Sequence, residues 1–308
     1  MQLFLTQLPV DKYEYLQFST GKVELLRFSA IRKYVNECTG DKIMNYIQSS
    51  QNSTIKEIKA LHLKKNRDAE GLYFVEGIRF VNDAIDNEQN IIKVIISDRL
   101  ESLNGGKELI DRVKSICNEC FIVNEKLFKE ISDTQTPQGI LAVLKKKEIN
   151  FDTIIEQGNS VVILDSLQDP GNVGTIIRTS DAAGISAVIL TKGCVDLYSP
   201  KVLRSTMGSV FHMPIFEGMK IDGTIELLKQ SSYKIIASHL RGKNNYYDED
   251  LTGRIAIIVG NEANGISDDT AELSDSLVKI PMPGRAESLN VSIAASIMIY
   301  EIVRQKKK

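Results

Sequence analysis

Several protein classes are excluded by what this chain lacks. No apolar run reaches the roughly 18 residues that a membrane-spanning helix needs. The first residues, MQLFLTQLPVDKYEYL, have no basic segment followed by a long apolar core, so they do not read as a signal peptide. There is no excess of positive charge: the formal net charge is -2, and any nucleic-acid binding must come from a local basic patch. Of the four cysteines only Cys117 and Cys120 form a C-x-x-C, and no second pair completes a zinc site. They read as reduced thiols of an intracellular, cytoplasmic protein. His62, His212 and His239 are scattered, so they read as structural and no metal is expected. The chain also lacks G-x-x-x-x-G-K-[ST], G-x-G-x-x-G and G-x-S-x-G, which disfavours a P-loop NTPase, a standard dinucleotide fold and an α/β-hydrolase.

A length of 308 residues suits about two domains. Residues 1–50 read as an irregular extension of unknown role, although ELLRFSAIRKYVNEC has helical spacing. SSQNST at 49–54 reads as a polar linker. Residues 53–147 alternate helices and strands as a small α/β domain. Its first helix, TIKEIKALHLKKNRDAEG, carries Lys56, Lys59, Lys64, Lys65 and Arg67 against Glu57 and Asp68. That face is either simply solvated or an electrostatic footprint for phosphates. Residues 150–308 alternate buried apolar strands with helices, which implies a mostly parallel sheet covered on both faces. The terminal Lys306-Lys307-Lys308 reads as a frayed tail.

Sites in open parallel sheets lie outside the carboxyl ends of strands, and three polar loops meet that rule. In LDSLQDPGNVGTIIRTSDAAG (164–184) a strand ends at Asp165 and a helix starts near Asn172. Asn172 serves either as helix cap or as site residue. Arg178 either reaches back to the same mouth or makes a surface ion pair. In IAIIVGNEANGIS (255–267) an apolar strand stops at Gly260-Asn261-Glu262. Glu262 beside a buried strand end needs a partner, for which Arg178 is the natural candidate. In IPMPGRAESLNVSIAASIMIYEIV (280–303), Ser288 or Asn290 caps a helix apolar on nearly every side. Such a helix is buried twice, against its own sheet and at a subunit interface.

Together the three loops resemble the signature motifs of the SpoU (TrmH-like) RNA ribose methyltransferases of the SPOUT superfamily. The first resembles D-P-x-N-x-G-x-x-x-R, the second G-x-E-x-x-G, and the third I-P-M-x-G followed by S-L-N-V-S-x-A. FVEGIRFV and QGILAVL make 53–147 look like the RNA-binding domain of such enzymes. The resemblance implies a trefoil-knotted parallel sheet, S-adenosylmethionine as cofactor, and a homodimer through the C-terminal helix. It implies methyl transfer to a ribose 2′-hydroxyl, in ribosomal RNA rather than tRNA. A non-catalytic RNA-binding or ribosome-assembly factor with the same fold is the alternative; transfer to a base atom is a third, disfavoured by the SLN motif. By resemblance Arg178 is the catalytic residue, as proton acceptor or orienting group, with Asn172, Glu262, Ser288 and Asn290 completing the polar site. Gly260, Ile280, Met282 and Leu289 are the expected cofactor contacts. Lys64, Lys65, Arg67, Arg79 and Arg204 are the expected RNA contacts.

Overall fold

The computed structural model describes residues 4–6, 13–17, 23–27, 44–117 and 119–307. Its first element is an antiparallel sheet in the order β1 (Phe4–Thr6), β2 (Tyr13–Gln17), β3 (Val23–Arg27). The expected irregular extension thus contains a sheet. The helical spacing read over 24–38 is overruled at Val23–Arg27, and the rest of that stretch lies outside the described residues. In a five-residue segment, pairing with a neighbouring strand outweighs a weak 3.6-residue period.

The next sheet has five strands, and it starts upstream of residue 53. It comprises β4 (Asn45–Ile47), β5 (Leu72–Glu76), β6 (Ile91–Ser97), β7 (Glu119–Val123) and β8 (Ile140–Lys145), ordered β4-β7-β6-β8-β5. β4, β7 and β6 are parallel; β8 runs antiparallel to both of its neighbours. One face is covered by Ile55, Ile58, Leu127, Phe128 and Ile131. The opposite face takes Val81, Leu109 and Val113, and also Leu203 and Phe211 from the second domain. Cys117 and Cys120 are buried here, and their thiols donate to the carbonyls of Ile92 and Cys117.

The expected polar linker, 49–54, is a turn that runs into a helix capped by Asn52, whose side chain accepts from Thr54 N at 2.9 Å. The single helix expected after it is two, Ser53–Ala60 and Lys64–Glu70. At the break, 61–63, side chains of the second helix satisfy carbonyls that have no i, i+4 donor: Asn66 Nδ2 donates to Ala60 O (2.8 Å), which also accepts from Leu63 N (3.1 Å), and Arg67 Nη1 donates to Leu61 O (2.5 Å).

The second domain is built on seven strands, all parallel. These are β9 (Ser160–Leu164), β10 (Ala187–Thr191), β11 (Ile215–Met219), β12 (Lys234–Ser238), β13 (Asn244–Asn245), β14 (Ile255–Val259) and β15 (Ser276–Lys279). Their order is β11-β10-β9-β14-β12-β15-β13. The helices Pro170–Ala182 and Val291–Lys306 cover one face through Val173, Ile177, Ala295, Met298 and Ile302. Ile155, Ile225 and Leu228 cover the other.

One placement governs the carboxyl edge. β15 pairs with β12 on one side and β13 on the other, although β12 and β13 are joined directly through residues 239–243. The last strand therefore lies between two strands that an earlier loop already connects. Gly242 sits at this crossing; a Cβ there would come within 2.6 Å of Val278 C and 2.9 Å of Lys279 N. β15 was not read from the sequence, because a four-residue strand flanked by Asp275 and Ile280 carries no periodic signal.

The amino edge is tied by Glu249. It accepts from Lys234 Nζ (2.8 Å), Asn244 Nδ2 (2.8 Å) and Ser276 Oγ (2.6 Å), one donor from each of β12, β13 and β15. Those hydrogen bonds, led by Lys234, draw its pKa from 4.5 to about 2. A carboxylate whose pKa falls on folding stabilises the fold above its unfolded pKa, and that contribution is lost as pH falls through the folded one. Lys306, expected in a frayed tail, is anchored by Asn159 O (3.1 Å) and Ser160 Oγ (2.7 Å). E249Q is therefore expected to lower the urea midpoint at neutral pH by the equivalent of about 2–3 kcal/mol. The gap from wild type should narrow as pH falls from 4.5 towards 2; a pH-independent gap would contradict the assignment.

Candidate active site

Because every strand of the second sheet points the same way, the loops after β9, β12, β14 and β15 emerge along one edge. Their positions follow from short polar ties. The helix after β9 begins at Pro170, so its N-cap is Asp169, whose Oδ1 accepts from Asn172 N at 2.8 Å. Asn172, expected near the cap, is inside the first turn, and its side chain is released for other contacts. Pro170 fits because the first helical position needs no N–H.

After β14, Gly260 is buried against the turn that follows; a Cβ would lie 2.3 Å from Gly265 C and 2.4 Å from Ile266 N. Asn261 closes that turn. Its backbone pairs with Gly265 (3.0 and 2.8 Å), its Oδ1 accepts from Ala263 N (3.0 Å), and its Nδ2 donates to Ser166 O (2.8 Å). Glu262 is thereby held over the start of the helix Pro170–Ala182.

The expected Glu262–Arg178 pair does not form. Glu262 accepts instead from Asn172 Nδ2 (3.1 Å), Asp169 N (3.4 Å) and Gln168 N (3.5 Å). The physical reason is proximity to a helix N-terminus, where main-chain N–H groups and the positive end of the dipole attract a carboxylate. Burial acts to raise the Glu262 pKa, but hydrogen bonds from Asn172 and from the main-chain amides of Glu262 itself, Asp169 and Gln168 outweigh it and hold the group below the usual range. Arg178 is exposed two turns along the helix and makes no ion pair among the described residues.

Asn290 completes the bridge. Its Nδ2 donates to Asn172 Oδ1 (3.0 Å), while its Oδ1 caps the C-terminal helix by accepting from Ser292 N (2.9 Å) and Ile293 N (3.3 Å). Between Asn290 and the β14 loop lies a cleft of about 540 Å³. Gly260, Ile280, Met282 and Leu289 all line it, as do Glu262, Ser288 and Asn290. Asn172 and Arg178 lie outside its lining.

The sequence reading missed the lip formed by His239, Leu240 and Arg241 after β12. Leu240 is 77% exposed there. His239, expected to be structural, lines the cleft; its Nδ1 accepts from Arg241 N at 3.0 Å, which leaves Nε2 carrying the proton of the neutral ring. The available signal was position alone: strand β12 ends beside the strands that lead into two of the three recognised loops.

The five expected RNA contacts divide. Lys65 and Arg79 are exposed. Lys64 is exposed and lies 3.6 Å from both Asp68 and Asp196; Arg204 bonds Asp133 at 2.8 Å. Arg67 is withdrawn: its side chain is 3% exposed and donates to Leu61 O and Asp196, so it is closed to an external phosphate. Among the described residues no group of His, Cys, Asp and Glu is placed to hold a metal ion, and no helix is long and apolar enough to cross a membrane.

This arrangement has known counterparts. The SpoU rRNA Methylase family matches residues 159–300, and the MRM3-like substrate binding domain matches 52–142. The 23S rRNA (guanosine(2553)-2′-O)-methyltransferase RlmP of Bacillus subtilis is 33% identical over 84% of this chain and 99% of its own length. Among solved structures, an AdoMet-bound rRNA methyltransferase from Sinorhizobium meliloti superposes with a TM-score of 0.75 at 32% identity, covering 85% of this chain and 98% of that one. The SpoU methyltransferase AviRb from Streptomyces viridochromogenes, in complex with AdoMet, gives 0.76 at 27% identity, covering 84% and 99%. With the three polar loops and the cleft in place, and with similarity running nearly the full length of these relatives, the chain belongs to the SpoU rRNA methylase family.

Proposed function

We propose that this protein transfers the methyl group of S-adenosylmethionine to a ribose 2′-hydroxyl of ribosomal RNA. The observation that carries this reading is the cleft at the carboxyl edge, walled by Gly260, Ile280, Met282 and Leu289 and adjoining the Glu262–Asn172–Asn290 bridge. Its volume of about 540 Å³ is within the range of small-molecule sites, and it combines apolar walls with a few polar groups. Val259, Ile280, Met282, Leu289 and Val291 would enclose the adenine, with main chain lining the cleft at Gly260 and His239 Nε2 as a donor.

When bound, the cofactor supplies a methyl on a positively charged sulfur, already a good leaving group. What remains for the protein is to position the ribose and raise the nucleophilicity of its hydroxyl. Glu262 is a poor base, because three donors occupy its carboxylate. Its part is to fix Asn172 and the two loops. Arg178 offers a guanidinium, which has donors and no acceptor, so its part is electrostatic: it holds a phosphate beside the reacting ribose, and an oxygen of that phosphate receives the hydroxyl proton. Ser288 and Asn290 orient the ribose.

The same reading includes a knot, a homodimer and an RNA-binding first domain. The location of β15 between β12 and β13, already joined through 239–243, supports a chain threaded through that connection. Ile293 (51% exposed), Ile297 and Tyr300 (50% exposed) form a stripe at i, i+4, i+7 on the C-terminal helix, which supports pairing with a second copy. The match of 52–142 to a substrate binding domain, with Lys65 and Arg79 exposed, supports RNA contact there.

Three outcomes are expected. With labelled cofactor and rRNA from cells lacking the gene, wild type transfers label to a 2′-hydroxyl. R178A should lose about 100-fold or more in rate while calorimetric affinity for S-adenosylmethionine is kept. Label on a base, or undiminished R178A, would overturn the reading. L289D should weaken cofactor binding by about tenfold or more, since it buries a charge against adenine; unchanged affinity would remove Leu289 from the site. I297E should halve the mass measured by light scattering, and a mass equal to wild type would place the dimer contact elsewhere.

A further inference from the structure

Arg67 is a charged side chain sealed between the two domains. It projects from the helix Lys64–Glu70, is 3% exposed, and spans from Leu61 O in its own domain to Asp196 in the other. Its Nε is buried without a partner among the described residues. Asp196 is itself 13% exposed and accepts from Tyr198 N at 3.2 Å. The other charged groups around the pair are Lys64, 3.6 Å from Asp196, Lys146, which bonds Asp68 at 2.8 Å, and Glu217, which accepts from Leu197 N at 3.3 Å. Burial raises the Glu217 pKa.

The segment that carries Asp196 also builds the site. Val195 N donates to Leu167 O at 2.8 Å, and Cys194 Sγ to Leu164 O at 3.1 Å, on the strand and loop that lead into the Asp169 cap. Further along the same segment, in the helix Pro200–Thr206, Ser205 Oγ donates to Pro170 O at 2.9 Å, and Gly174 lies so close to Ser205 that a Cβ would be 2.8 Å from its carbonyl carbon. Residues 194–205 therefore touch the first domain with one side and the start of the catalytic helix with the other.

Apolar contacts supply adhesion across this boundary: Tyr73 against Tyr198 (4.6 Å between centroids), Phe80 against Phe211 (5.1 Å), and Leu203 in the first domain's core. Such contacts are non-directional and tolerate sliding. A guanidinium fork is directional, and fits its partners in one relative orientation. A buried ion pair contributes little net stability against apolar replacements, and its best-attested use is to fix register.

We propose that Arg67 is a positioning residue: through Asp196 it sets the first domain at one angle to the site, and so fixes which ribose of a bound RNA reaches the cleft. The first domain then acts as a rigid ruler, gripping RNA at a constant distance from Arg178. This rests on the proposed methyl transfer.

The test compares wild type, R67Q, R67K and D196N on rRNA from cells lacking the gene. R67Q and D196N should raise the KM for RNA by about tenfold, the loss of one good interaction, while kcat at saturating RNA and the affinity for S-adenosylmethionine stay near wild type. Mapping of 2′-O-methyl positions should reveal secondary sites. R67K keeps the charge without the fork and should recover part of the KM but not the single-site selectivity. Unchanged KM and a single methylated position would overturn the proposal, as would a fall in kcat and cofactor affinity at constant KM. Should a lone buried charge unfold the single variants, R67M/D196L removes both charges together and must show the same loss of selectivity. Small-angle scattering of the full chain gives an arm independent of catalysis. The double variant should scatter as a broader distribution of domain arrangements, and a profile superimposable on wild type overturns the proposal. Wild type without methyl transfer, alongside a broadened variant profile, would refute the proposed activity, and with it the choice of ribose, while Arg67 would still be shown to set the angle between the domains.

Discussion

The structure depends on where the last strand of the second sheet is placed. β15 pairs with β12 and β13 along both edges, while residues 239–243 join those two strands around it. This constraint fixes the loop 280–290 at the carboxyl edge. The lip at His239, Leu240 and Arg241 forms one wall of the cleft because it must bridge the inserted strand, and the turn after Gly260 forms the facing wall. Glu249 closes the same three strands at the other end, with one donor from each. The insertion is thus clamped on both sides, and the cleft inherits its rigidity from backbone pairing rather than from side-chain packing alone.

Charge placement on that edge separates two roles that the sequence merged. An acid and a base in neighbouring loops invite an ion pair, and Glu262 with Arg178 was the natural one. The helix N-terminus wins the carboxylate because main-chain N–H groups there have no intrahelical acceptor, and Asn172 adds a third donor. Arg178 is left exposed and available to an anion brought by a substrate. The cost of holding a cation without a partner is small on a surface, where water solvates it. A buried Arg178 would need Glu262, and its charge would be spent before RNA arrived.

Much of the second domain was legible because its strands are apolar runs bounded by polar turns: β9, β10, β12 and β14 fall where the pattern puts them. Gly260, Ile280, Met282 and Leu289, carried over by resemblance, share one cleft. What escaped was set by tertiary competition. β15 is too short to show a period, and Asp169 takes the cap from Asn172 because Pro170 fixes the first helical position. The helix over 53–70 breaks at 61–63, where Asn66 and Arg67 satisfy the freed carbonyls. Arg67 itself reads as one cation among several on a charged helix. Only the fold reveals Asp196, 129 positions away, as its partner.

The apolar C-terminal helix and the polar loop before it form one device. Asn290 belongs to both: its Oδ1 caps the helix and its Nδ2 reaches Asn172. Thr179 and Ser296 hydroxyls, 3.2 Å apart, tie the same two helices about two turns further on. Any shift of the C-terminal helix must therefore move Asn290 relative to Asn172, and with it the contact between the third loop and Glu262. The buried stripe at Ala295, Met298, Ile299 and Ile302 resists such a shift from the sheet side. The opposite stripe at Ile293, Ile297 and Tyr300 leaves it unopposed in a lone chain. The proposed pairing with a second copy would supply the missing restraint, and would then couple assembly to the geometry of the polar bridge.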